Sequence, residues 1–101
     1  MTNVITPTIL KEFKERMKLG EFEDENLMRI LQASYDDLRD KCGNYDFSDN
    51  RFKELVFERS RYVYNDALEY FDENFLSQIN SLGIKKALET INVEGDTDAK
   101  I

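Results

Sequence analysis

The sequence predicts a single all-α domain: a small helical bundle with one long central helix, followed by a C-terminal short helix or extended arm. Three observations lead there. Apolar residues recur at helical spacing along most of the chain. Gly and Pro are scarce, four and one in 101 residues, so breaks between periodic segments are few and easy to place. A chain of this length buries one modest core and no more. The domain is expected to span residues 1–91, with a polar, flexible tail over 92–101.

The first helix begins at the only proline. Thr6 is placed to cap it, Pro7 suits the first helical position, and Ile5 and Leu10 form a hydrophobic staple across the start. Ile9, Leu10, Phe13 and Met17 share its apolar face, and Gly20 is the expected stop. Asp24 is the expected cap of the second helix. Leu27, Met28, Ile30, Leu31, Tyr35, Leu38 and Cys42 make its stripe, and Gly43 ends it. Ser48 is the expected cap of the third, with Asp49 in its first turn and Phe47 stapled to Phe52. This third helix is expected to run unbroken to about Asn74, on the order of 36 Å. Phe75, Leu76, Ile79 and Leu82 then line a segment that Gly83 closes, and IKKALETINV forms the short helix or arm.

Drawn as a wheel at about 100° per residue, the long helix carries too much apolar surface for one dry face. Phe52, Leu55, Val56, Tyr62, Val63 and Tyr70 cluster on one side. Phe57, Tyr64, Leu68, Phe71 and Phe75 cluster on another, about 120° away. The first stripe suits the two preceding helices. The second is covered either by the C-terminal segment folding back or by another copy of the chain, and those five residues are the candidate subunit interface. Arg59 and Asp66 fall within the first stripe, two turns apart. Each either sits at the rim and reaches water, or forms an ion pair with a neighbouring helix or subunit.

Composition excludes several classes of function. There is no His, which removes the commonest general base and zinc ligand along with the Ser-His and Cys-His pairs. The single cysteine, Cys42, lies on an apolar stripe near a helix C-terminus, where a thiolate is disfavoured. It reads as structural, and it allows no intrachain disulfide. The acidic GEFEDENL reads as a capping segment. DFSDNRFKELVF lacks the glycine and glutamate that a calcium loop needs at its sixth and twelfth positions. No catalytic residue, metal site or cofactor is therefore expected, and the chain is not read as an enzyme. A net charge of −7 argues against wrapping nucleic acid. No run is apolar and long enough for a membrane, and no leader is evident, so a reducing cytosol, or a particle assembled there, is the expected setting.

The stretches ILKEFKERMKL, ENLMRILQASYDDLRDKCG and ELVFERSRYVYNDALEYFDENFLSQINSLGIKKAL resemble the phage head–tail connector, or adaptor, proteins of phages and prophages of Gram-positive bacteria. The resemblance runs over roughly residues 8–91 and is most specific in KELVFERSRYVYNDALEYFDENFLSQI. It implies a structural virion protein at the head–tail junction, assembled in the host cytoplasm. It implies a ring of copies below the portal, dodecameric if it follows the portal. Such a ring extends the DNA channel and offers a docking surface for the next head-completion or tail protein. DNA would pass through the lumen without specific binding. The competing reading from charge alone is a small acidic regulatory module of the anti-repressor or inhibitor type, which would form a tight complex and no ring.

Overall fold

A computed structural model describes residues 4–20 and 23–95, with side chains through residue 91. The described chain is all-α. Its elements are α1 (Pro7–Met17), α2 (Asp24–Cys42), α3 (Asn50–Tyr64), a 3-10 turn (Leu68–Tyr70), α4 (Phe71–Asn74) and α5 (Leu76–Gly95). The central element is α2, which packs against α1, α3 and α5. Phe13, Leu27, Leu31, Leu38, Phe52, Val56 and Phe71 are fully buried around it.

Two helix starts, those of α1 and α3, follow from side-chain capping. Thr6 is extended and its Oγ1 accepts from Ile9 N at 3.2 Å, with Pro7 following as the first helical residue. At α3 the cap is Asp49 and not Ser48. Asp49 accepts from Phe52 N at 3.0 Å, while Ser48 donates from its backbone N to Asp46 Oδ1 at 2.9 Å in the preceding turn. Asp24 is the first residue of α2 rather than its cap. It forms an ion pair with Lys14 of α1 at 2.7 Å, which ties the two helices together. Gly43 ends α2 at φ 107, where a side chain would be strained and would also collide with Lys86.

Two helices end by a device the glycine pattern does not reveal. Lys18 takes the left-handed conformation (φ 58), with Lys18 N bonded to Glu15 O at 3.2 Å and Leu19 N to Lys14 O at 2.9 Å. This Schellman closure ends α1 before Gly20 is reached. The same pair of bonds recurs at Asp66 (φ 58): Asp66 N to Val63 O at 3.0 Å and Ala67 N to Tyr62 O at 2.8 Å. The long helix expected from residue 48 to 74 is therefore broken at Asn65-Asp66, two residues that tolerate left-handed geometry and favour turns. The break lets Phe71 and Phe75 fold back. Phe71 meets Tyr62 edge-on at 5.6 Å and stacks on Phe75 at 4.9 Å.

The longest helix is instead the last one. The expected stop at Gly83 is absent, and α5 runs through it to Gly95. Gly83 packs on the end of α2, where an added Cβ would lie 3.3 Å from Lys41 O. Cys42 Sγ donates to Ile79 O at 3.7 Å and Tyr45 Oη donates to Leu82 O at 2.8 Å, so the end of α2 grips α5 around that glycine. The flexible tail expected over 92–101 begins as helical backbone, and 96–101 lie outside the described residues.

The molecule extends 58 × 30 × 21 Å, with a Cα radius of gyration of 15.8 Å. A compact chain of this length would be near 13 Å. A contributor to the excess is α5, whose second half carries no buried residue beyond Leu82 up to the last described side chain, Ile91.

Candidate functional site

The five residues read from sequence as a subunit interface do not share a surface. Phe57 and Phe71 are 3% and 0% exposed and belong to the core. Phe57 lies against Phe13 at 5.6 Å. Tyr64 and Phe75 are half-buried, and Tyr64 Oη donates to Glu23 Oε2 at 2.9 Å. Only Leu68 is exposed, at 39%. The wheel drawn for one continuous helix placed them together. The break at Asp66 separates them and turns Phe71 inward.

Arg59 is held inside the bundle. Its Nε lies 3.2 Å from Asp37 Oδ2 of α2, and one of its terminal nitrogens donates to Ser34 Oγ at 3.1 Å. Asp37 Oδ2 also meets Lys41 Nζ at 2.9 Å, and Lys41 Nζ reaches Asp72 Oδ1 of α4 at 2.9 Å. One chain of alternating charges thus ties α3, α2 and α4 together. Beneath it Ser60 Oγ donates to Ser34 Oγ at 3.0 Å, and both serines are fully buried. These small residues allow close α2–α3 approach, a feature an apolar count passes over. Asp66, the other charged residue read within the first stripe, sits exposed in the break and serves as a left-handed cap.

The titratable groups support structure more than chemistry. Burial pushes the Cys42 thiol up; nearby Asp37 adds to this and Lys41 opposes it, so the buried cysteine is a poor nucleophile. No cluster of three or more metal-ligating side chains occurs among the described residues. None of the described helices is long and apolar enough to cross a membrane.

The surface that stands out is on α5. Ile79 and Leu82 face the core. Ile84, Leu88 and Ile91 point the opposite way, about 180° around the helix, and are 61%, 52% and 57% exposed. With Ser77 and Ser81 they follow alternating steps of four and three, the spacing of a helix–helix seam. Between Ser77 and Ile91 this face, completed by Asn80 and Ala87, carries no charged residue. Yet 35% of the chain is charged. Depletion of charge around exposed aliphatic residues is the signature of the centre of a protein interface. The sequence reading missed it because Gly83 was taken as a terminator, which cut the seam in two.

Beside the root of this seam lies a groove of about 550 Å³ between α3 and α5. Its floor is Leu55, Phe75 and Leu82, and Arg16, Glu54 and Gln78 stand among its walls. Arg16 is fixed by a two-pronged bond to Glu54 at 2.8 and 2.7 Å and a further bond to Glu58 at 2.9 Å.

Compared with protein-family models, curated proteins and solved structures, the chain matches none.

Proposed function

We propose that this chain is a structural assembly protein, a head–tail connector whose copies form a ring below a phage portal. The ring would extend the DNA channel toward the next head-completion or tail protein. The observation that carries the reading is the uncharged aliphatic face on the outer half of α5. A helix held to its own bundle on one side and apolar on the other is suited to contact with a second chain. The sequence resemblance over residues 8–91 says which kind of assembly. The net charge of −7 per copy suits a conduit whose wall repels phosphate within a Debye length of about 8–10 Å.

The test is negative-stain imaging of the purified chain over a wide concentration range, alone and mixed with a portal ring. The expected result is closed rings with a central hole, stacked on the portal where portal is present. No ring in either sample would favour the regulatory reading instead.

A further inference from the structure

The outer face of α5 and the α3–α5 groove are two unfilled apolar surfaces on one molecule. The face projects; the groove is concave. They adjoin at Ser77 and Ser81, which line the groove, but Ile84, Leu88 and Ile91 lie outside it, so those residues of one copy cannot fill its own groove while α5 stays helical. A symmetric pairing confined to Ile84–Ile91 would cover the aliphatic residues and leave the groove open, whereas a head-to-tail contact covers both. Such a heterologous contact, repeated, closes into a ring or continues as a filament.

We infer that the groove between α3 and α5 receives the Ile84–Leu88–Ile91 face of a second copy of this chain. The inference rests on the ring reading above and names the surfaces that would build it. Charge favours this occupant. Each copy carries −7, so most approaches between copies are repulsive. The inserting face is neutral and brings no carboxylate into the groove. The charged lining of the groove balances, Arg16 and Arg51 against Glu54 and Glu58, so a neutral face meets no net charge there. Floor and face are alike aliphatic and aromatic, Leu55, Phe75 and Leu82 against Ile84, Leu88 and Ile91.

Disulfide trapping in the full-length chain tests this. Leu88→Cys marks the face and Gln78→Cys marks the groove; both positions are exposed, and circular dichroism checks that each variant folds. Wild-type protein, with its buried Cys42, serves as the blank. Each variant is oxidised alone and then as an equal mixture at high concentration. The expected result is a mass shift from one chain to two in the mixture only. A Leu88→Cys homodimer would overturn the inference in favour of a symmetric seam, while leaving assembly intact. No cross-link in protein that images as rings would overturn the groove assignment alone. No cross-link and no rings would overturn both readings. Should either variant misfold, Ile84→Cys with Arg51→Cys marks the same two surfaces.

Discussion

Between Leu76 and Leu82, α5 turns Ile79 and Leu82 onto α2 and closes the core. Between Ile84 and Ile91, the same helix turns Ile84, Leu88 and Ile91 away from it. The two halves have similar side chains and the same backbone geometry. They differ in what lies beneath them. The first half meets Cys42, Tyr45 and the carbonyl of Lys41, which would lie a tight 3.3 Å from a Cβ at residue 83. Beyond Lys86, whose ammonium sits 4.3 Å over the Tyr45 ring, the bundle ends and the helix continues. Burial stabilises the first half by roughly 1.5–3 kcal/mol for each large side chain. The second half gains nothing comparable from its own chain. An aliphatic pattern in a helix therefore records what must be covered, and not by which chain.

That contrast can be broken or sharpened by substitution. The largest expected effect is Leu82→Ala, a cavity in the anchored half, which should destabilise the fold by about 3 kcal/mol in urea unfolding. The exposed counterpart Leu88→Ala should stay within about 0.5 kcal/mol of wild type. Equal losses at both sites would erase the contrast. Next, Gly83→Leu should cost about 2 kcal/mol, because its Cβ would lie 3.3 Å from Lys41 O and α5 would have to shift off the end of α2. Limited proteolysis of this variant should cut near α5 before the rest of the bundle.

Arg59→Ala asks whether the charge chain holds the base on which α5 is anchored. It removes a cation from Asp37 and a donor from Ser34, at an expected cost of about 1–2 kcal/mol by thermal melting. An unchanged melting point would show the pair to be inert. The smallest effect is expected at Glu58. Burial acts to raise its carboxyl pKa, but hydrogen bonds from Arg61 and Arg16 outweigh it and hold the carboxyl below the ordinary 4.5. A depressed carboxyl adds stability above its unfolded pKa and loses it as pH falls through the folded one. Stability should therefore drop more steeply below about pH 4.5 in wild type than in Glu58→Gln. Parallel acid curves would remove Glu58 from the list of groups that stiffen the groove wall.

Much of the fold is legible in the sequence. Thr6-Pro7, the stripes of α1 and α2 and the stop at Gly43 follow from capping and period alone. What fails is termination. Lys18 and Asp66 end helices in left-handed geometry without glycine, whereas Gly83 sits inside a helix, packed closely on the end of α2. Asn65-Asp66 carries a turn signal, but the apolar period runs straight through it, since Phe71 is a core residue and Phe75 packs against the core from the next segment. Missing the stop at Asp66 created a second stripe on a long helix that does not exist, and placing a stop at Gly83 hid the exposed face of α5.

The most direct measurement is mass against concentration for wild type and Leu88→Asp, each with a melting curve. If the outer face of α5 is an assembly surface, wild type grows in mass with concentration and Leu88→Asp stays a monomer with an unchanged melting point. A lowered melting point in Leu88→Asp, or the same mass curve for both chains, would contradict that assignment.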